Sequence, residues 1–302
     1  MPKTLIVLLG PTGVGKTDLS IRIAQHFDTV ITSSDSRQVY KEMRIGTAVP
    51  EPEQLSQVKH HFIHSHSIHD YFSSFECEKE TLALLQNLFV EKNQVLMVGG
   101  SMMYIDAVCN GIDDIPTIDP QLRKELLEKY EQEGIESIRM QLKLLDPVFY
   151  NEVDLKNAKR VLHAVEVCLM AGKPYSSLRK NTAKKRDFNI VKIGLNRDRE
   201  ELYNRINLRV DQMVEEGLVE EARGLFEYRH LNSMNTVGYK ELFEHFEGKI
   251  SLEKAIELIK RNSRRYAKRQ LSWFRRDDGI NWFHPEQEEE ILQLLTEKCS
   301  GN

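Results

Sequence analysis

The stretch Gly10-Pro11-Thr12-Gly13-Val14-Gly15-Lys16-Thr17 carries the strongest chemical signal in the chain. Glycines at its first and sixth positions let the backbone curl so that N–H groups point inward, and a helix starting there adds its positive N-terminal end. Lys16 supplies a point charge for outer phosphates, and the Thr17 hydroxyl is placed to hold Mg²⁺. The eight residues Gly10, Pro11, Thr12, Gly13, Val14, Gly15, Lys16 and Thr17 therefore read as a phosphate cradle. Spacing does not say which phosphate is held. Asp35 is the second candidate. It ends a β-branched run, Thr29-Val30-Ile31-Thr32, that continues as Ser33-Ser34-Asp35-Ser36-Arg37-Gln38. In open parallel sheets ligands bind outside the carboxyl ends of the strands, which brings Asp35 to the edge of the cradle. Capping of the next turn is an equal reading of the same residue.

A third apolar run, Gln94-Val95-Leu96-Met97-Val98, ends in Gly99-Gly100-Ser101-Met102-Met103-Tyr104. Many nucleotide-hydrolysing P-loop proteins place a metal-binding aspartate there. Its absence argues against a motor or switch. The paired glycines suggest close approach of backbone to a ligand, with the Ser101 hydroxyl at the strand edge. His60, His61, His64, His66 and His69 are half of the chain's 10 histidines. No cysteine lies among them, and a polar loop between Pro52 and a helix starting near Ser74 explains them better than a metal site.

These residues need elements to hold them. Leu5 to Leu9 precedes the cradle as a strand, and Leu19, Ile21, Ile23 and Ala24 give the following helix its apolar face. Leu122, Leu126, Leu127 and Tyr130 make a later helical stripe, Ile138, Leu142 and Leu145 another, and Val161, Leu162, Val165 and Leu169 a third. Ile190 to Leu195 then resumes as a strand. The economical architecture is α/β: a P-loop NTPase-like parallel sheet flanked by helices, formed by residues 1–115 and 187–302, with an inserted all-helical domain over 116–186, from Pro116 onward. The insertion's exit carries Arg179, Lys180, Lys184, Lys185 and Arg186, either a functional basic run or a solvated linker. The remainder is expected to be helical, with Leu202, Ile206, Val210 and Met213 on one face. In its last long helix Arg261, Arg264, Arg265 and Lys268 share a face by their i, i+3, i+4, i+7 spacing, amid Lys260, Arg269, Arg275 and Arg276 with no acid between 260 and 276. Ile256, Ile259, Ala267, Leu271 and Phe274 can pack inward.

The chain has 302 residues, 40% hydrophobic and 29% charged, with a formal net charge of −4. That is a soluble globular composition, and it excludes a protein that is basic overall. A basic stripe on a net acidic chain reads as a polyanion track. Cys77, Cys109, Cys168 and Cys299 are too dispersed for a zinc site or a disulfide framework and suit free thiols in a reducing compartment. The N-terminal apolar run is too short for a signal peptide or membrane span, so a cytoplasmic protein without a membrane partner is expected.

Taken in order, the motifs resemble those of the tRNA dimethylallyltransferases, also called tRNA isopentenyltransferases. The similarity rests on Gly10 to Thr17, on Ser34-Asp35-Ser36-Arg37-Gln38-Val39-Tyr40 with Ile45-Gly46-Thr47-Ala48, and on His60-His61. It continues through Gly99-Gly100 with Tyr104, Gly238-Tyr239-Lys240-Glu241, and Lys268-Arg269-Gln270 with Trp273-Phe274-Arg275. The chain departs from the pattern at Ser101-Met102-Met103, at His64, and at Asp154-Leu155-Lys156-Asn157 ahead of Arg160. It ends without the zinc-finger extension of eukaryotic members, so a bacterial type is expected. The resemblance implies transfer of a dimethylallyl group from dimethylallyl diphosphate to N6 of an adenosine beside the tRNA anticodon. It implies catalytic roles for Asp35, Lys16, Thr17 and Arg209, with Mg²⁺ on Thr17. It also implies tRNA contacts from Asp35, Ser36, Arg37, Gln38, Ser101, Arg123, Lys159, Arg160, Arg261, Arg264, Arg265 and Lys268. The partners expected are an anticodon stem-loop and the prenyl diphosphate, bound by a monomer.

Other readings use part of the same signal. A small-molecule kinase would fill the cradle with ATP but has little use for the stripe from Arg261 to Lys268. A nucleic-acid-binding module would need the stripe but not the cradle. Prenyl transfer to a free adenine nucleotide would use the cradle and Asp35 without the basic face.

Overall fold

In the computed structural model, which describes residues 2–113, 115, 119–179 and 183–300, the N-terminal apolar run becomes a central strand between parallel neighbours, buried on both faces because helices pack on both sides of the sheet. This is β1 (Thr4–Leu9), followed by α1 (Lys16–His26), β2 (Ile31–Ser33), α2 (Pro52–Gln57), β3 (His60–His61), α3 (Ser74–Glu91), β4 (Gln94–Gly99) and α4 (Met102–Asn110). Helices α5 (Pro120–Glu133), α6 (Ile135–Leu145), α7 (Pro147–Glu152), α8 (Ala158–Ala171) and α9 (Tyr175–Leu178) come next. The chain returns through β5 (Asn189–Leu195), α10 (Arg199–Glu215), α11 (Leu218–Gly224), α12 (Tyr239–Phe246), α13 (Leu252–Phe274), β6 (Ile280–Phe283) and α14 (Glu288–Ser300).

Among the described residues the sheet runs β3-β2-β4-β1-β5-β6, with every pairing parallel. This order settles the geometry of the edge. β4 lies between β1 and β2, so Gly99 stands between the cradle that follows β1 and the Ser34-Asp35 segment that follows β2. One apolar layer packs Leu5, Val7, Leu9, Val95 and Met97 against α3, α4, α12 and α13. The other packs Ile6, Leu8, Leu96 and Ile193 against α1, α10 and α14.

The chain divides into two compact units, residues 1–110 with 185–302, and residues 111–184. The second unit has its own core of Leu126, Ile138, Leu142, Phe149, Val161, Leu162 and Val165. Leu127 and Leu169, assigned to its inward stripes, are instead 42% and 40% exposed. Each lies next in sequence to a position that does face inward, so a wide stripe overcounts. Within this unit Asp146 is fully buried and accepts from the Phe149 and Ser176 amides at 2.9 and 2.6 Å, tying α7 to α9.

Several expectations need correction. The C-terminal part is not wholly helical: Ile280-Asn281-Trp282-Phe283 adds an edge strand to β5, too short and too polar at Asn281 to show as an apolar run. The polar loop between Pro52 and Ser74 contains α2 and the two-residue β3. Two arginines of the basic run at the insertion's exit make structural contacts. Arg179 pairs with Glu152 at 3.3 Å and stacks on Phe149 and Tyr175. Arg186 bonds Glu78 at 2.8 Å and the Ala107 and Val108 carbonyls. Pro116 and Lys180 lie outside the described residues. The four cysteines are free and buried. Among the described residues no helix is long and apolar enough to cross a membrane.

Candidate active site

The loop between β1 and α1 adopts the left-handed backbone its glycines permit, with φ of 154° at Gly10 and 104° at Gly15. Lys16 and Thr17 open α1, and the Lys16 amine donates to the Gly10 and Pro11 carbonyls, both at 2.9 Å. Burial draws that amine down to about 8, Asp35 opposing and Arg209 reinforcing the shift. Two arginines brace the outer side of the loop: Arg197 Nε donates to the Val14 carbonyl and Arg205 Nε to the Gly13 carbonyl, each at 2.9 Å. Thr12 departs from the expected cradle, because its N–H is turned to the Gln270 side chain at 2.9 Å.

Arg209 comes from α10 on the opposite wall. Its guanidinium is desolvated enough to lower its pKa, Asp35 raises it and Arg205 lowers it further. Among the described residues it makes no hydrogen bond or ion pair, so its donors are free for an anion. Asp35 serves both readings offered by the sequence. Its Oδ1 caps the turn, accepting the Arg37 and Gln38 amides at 2.8 and 3.3 Å. Its charge is nevertheless felt at Lys16, Arg209 and Tyr266. Ser101 is buried, accepts the Ser36 N–H at 2.8 Å and donates to the Ser36 hydroxyl at 3.1 Å.

Lys16, Thr17, Asp35, Arg205 and Arg209 line one cleft of about 1400 Å³, bounded by the loop, Asp35 to Gln38, residues 44–51, Gly99-Gly100, α10 and α13. The paired glycines line the cleft and also make room for neighbouring protein groups. A Cβ on Gly99 would lie 2.2 Å from Ser34 Oγ, and one on Gly100 would lie 2.3 Å from Gln270 Nε2. Arg37 and Gln38, expected at RNA, are engaged within the chain. Arg37 holds the Asn232, Ser233 and Asn235 carbonyls, and Gln38 holds those of Thr47 and Ala48.

The basic stripe on α13 is uneven. Lys260 pairs with Asp211 at 2.5 Å and Arg264 with Asn207 at 2.5 Å, so α10 covers one flank. Arg261 is half-buried with an unpartnered Nε among the described residues. Arg265 and Lys268 are exposed, and Arg265 also lines the cleft. In the helical unit Lys159 and Arg160 are exposed on the first turn of α8, which Asn157 caps. Arg123 instead makes a bidentate pair with buried Glu166 at 2.7 and 2.8 Å. Burial pushes that carboxyl up, but bonds from His163 and Arg123 outweigh it and leave its pKa low.

Four contributors have no role assigned in the sequence reading. Gln270 and Tyr266 face the cleft from α13, the Tyr266 phenol pushed up to about 12 by burial and by Asp35. Glu221 of α11 accepts the backbone amides of Arg44, Ile45 and Gly46 at 2.8–3.1 Å and the Tyr239 hydroxyl at 2.5 Å, holding the 45–48 turn at the cleft wall. Gln270, Tyr266 and Tyr239 fall in stretches that the sequence singles out, though without a role there; Glu221 does not.

No three His, Cys, Asp or Glu side chains cluster as a metal cage among the described residues. His60 bonds the Val58 carbonyl, His64 that of Met43, and His66 faces Glu80, so the histidines serve separate local contacts. Thr17 lines the cleft, and its hydroxyl makes no hydrogen bond among the described residues. That fits a Mg²⁺ ion that arrives with a diphosphate and keeps most of its waters.

A family model described as IPP transferase matches residues 38–277. The tRNA dimethylallyltransferase 1 of Bacteroides fragilis is 58% identical over 293 residues, 97% of each chain. The crystal structure of the tRNA isopentenylpyrophosphate transferase of Bacillus halodurans superposes with a TM-score of 0.72 at 35% identity, covering 99% of this chain and 97% of that one. A eukaryotic dimethylallyltransferase acting on tRNA gives 0.76 at 29% identity, over 90% of this chain and 70% of its own. Matched by that model over most of its length, and 58% identical to a relative across 97% of each chain, the chain belongs to the IPP transferase family.

Proposed function

We infer that this chain transfers a dimethylallyl group to tRNA, at N6 of an adenosine beside the anticodon, from dimethylallyl diphosphate. The observation that carries the reading is the meeting, in one cleft, of the Lys16 cradle, the unpaired Arg209 and the Asp35 carboxylate. An adenine amine is a weak nucleophile because its lone pair is delocalised, so the departing diphosphate must be stabilised. Lys16 and Arg209 flank that charge, and the amides from Gly13 to Thr17 cradle it. Mg²⁺ held by Thr17 would add charge on the leaving group. As N6 bonds to the allylic carbon, the carbon–oxygen bond breaks toward the diphosphate and Asp35 accepts the amine proton. Arg265 and Lys268 on α13, and Lys159 and Arg160 on α8, are exposed cations suited to the RNA backbone. The target base must leave its stack to reach the cleft, at a cost of about a few kcal/mol that backbone contacts offset.

The test is incubation of the protein with dimethylallyl diphosphate, Mg²⁺ and unmodified tRNA, reading diphosphate release and RNA mass. One dimethylallyl adduct per RNA supports the reading. ATP turnover stimulated by a small metabolite, without prenylated RNA, refutes it.

A further inference from the structure

We propose that Gln270 is a positioning residue that fixes the donor cradle against the acceptor side of the active site. The inference rests on the function proposed above. Gln270 is 2% exposed on α13, and its side chain spans two backbone groups that belong to different halves of the site. Oε1 accepts the Thr12 N–H of the cradle at 2.9 Å, and Nε2 donates to the Gly100 carbonyl at 2.8 Å. Gly100 leads into Ser101, whose hydroxyl accepts the Ser36 N–H at 2.8 Å beside Asp35. A continuous path of short polar contacts therefore runs from the loop that holds diphosphate to the segment that carries the base.

Three features argue for a latch and against an incidental buried amide. Both amide atoms are used, and each partner is an irregular backbone group that no strand or helix can satisfy. Position 100 is bare where the amide reaches it: a Cβ there would meet Gln270 Nε2 at 2.3 Å and push the amide off its partners. The amide also lines the cleft itself, where a change in loop separation alters the distance between donor carbon and base. Reaction geometry is sensitive on this scale: a shift of about 1 Å costs on the order of 10²-fold in rate.

The experiment uses Gln270→Met, which keeps length and removes both bonds, and Gly100→Ala, whose Cβ displaces the flexible end of the amide and lies 3.1 Å from the Gly10 carbonyl oxygen. Steady-state rates with dimethylallyl diphosphate and unmodified tRNA should show kcat reduced about 10–100-fold in each, with KM for tRNA within about twofold of wild type. In an Asp35→Asn background, Gln270→Met should cost less than about threefold more, because its effect acts through placement of that carboxylate. Wild-type kcat in both variants, or losses that multiply fully with Asp35→Asn, overturns the proposal. If Gln270→Met does not fold, Gly100→Ala carries the same measurements. If the wild-type protein forms no prenylated RNA, the functional reading fails, and hydrogen exchange decides the latch separately. Inorganic pyrophosphate with Mg²⁺ should slow exchange at residues 34–38 and 99–102 in wild type but not in Gly100→Ala. Equal slowing in both refutes it.

Discussion

Replacing Arg265 and Lys268 together by Ala should flatten the salt dependence of tRNA binding, whereas replacing Lys260 and Arg264 should not. The structure divides the basic helix this way: Lys260 and Arg264 are paired with Asp211 and Asn207, while Arg265 and Lys268 are exposed. Each phosphate contact contributes about 0.7–0.9 to the slope of log affinity against log salt, so losing two lowers the slope by roughly 1.4–1.8. Between about 50 and 200 mM salt, a span of about 0.6 log unit, the ratio of wild-type to variant affinity should shrink roughly 7- to 12-fold. Filter binding or fluorescence anisotropy with unmodified tRNA across that range measures it. Binding of dimethylallyl diphosphate should not change, and turnover should fall more at limiting than at saturating tRNA, because uniform binding is lost. An unchanged slope in Arg265→Ala/Lys268→Ala, or an equal drop in Lys260→Ala/Arg264→Ala, would refute the assignment of the exposed pair to phosphate.

Asp35→Asn should lower kcat by about 10²–10⁴-fold with little change in tRNA affinity, since Asn keeps the Oδ1 cap on the Arg37 and Gln38 amides and loses only the base. Wild-type turnover would remove Asp35 from proton transfer. Lys16→Ala should raise KM for dimethylallyl diphosphate and slow single-turnover chemistry; an unaltered donor titration would place the diphosphate elsewhere. Burial holds Lys16 at about 8, and the diphosphate prefers the protonated amine. Donor kcat/KM should therefore be maximal below that pH and fall as pH rises through it, and a profile flat to pH 9.5 would contradict this. Gly46→Ala should cost about 1–3 kcal/mol in urea unfolding, because its Cβ would sit 2.6 Å from the Tyr239 ring, pinned by the bond to Glu221.

The fold was legible wherever the burial pattern is long. β1, β4 and β5 are near-continuous apolar runs because both of their faces are covered, and the helical unit shows its period through Leu126, Ile138, Leu142 and Val165. β6 and β3 escaped because edge strands of four and two residues carry too few side chains for a period to emerge. At the same scale, Leu127 and Leu169 were counted inward because a helix stripe read from spacing has soft borders.

The active site divides along a different line. Residues that would meet a ligand announce themselves by type, as Lys16, Thr17 and Asp35 do, because phosphate and proton chemistry accept few side chains; Arg209, one arginine among several on its helix, entered only through the family resemblance. Residues that hold those groups in place act on backbone amides and carbonyls, which every sequence position possesses. Glu221 on three amides of the 44–46 turn, Arg37 on three carbonyls of 232–235 and Gln270 between Thr12 and Gly100 therefore have no spacing of their own. Their partners lie from 170 to 258 positions away. The one trace such a contact leaves is on its partner: a side chain must be absent where another must reach, and Gly46, Gly99 and Gly100 mark those places. In this chain the glycine pair after β4 makes room for neighbouring protein groups and also lines the cleft, and only the packed structure shows both.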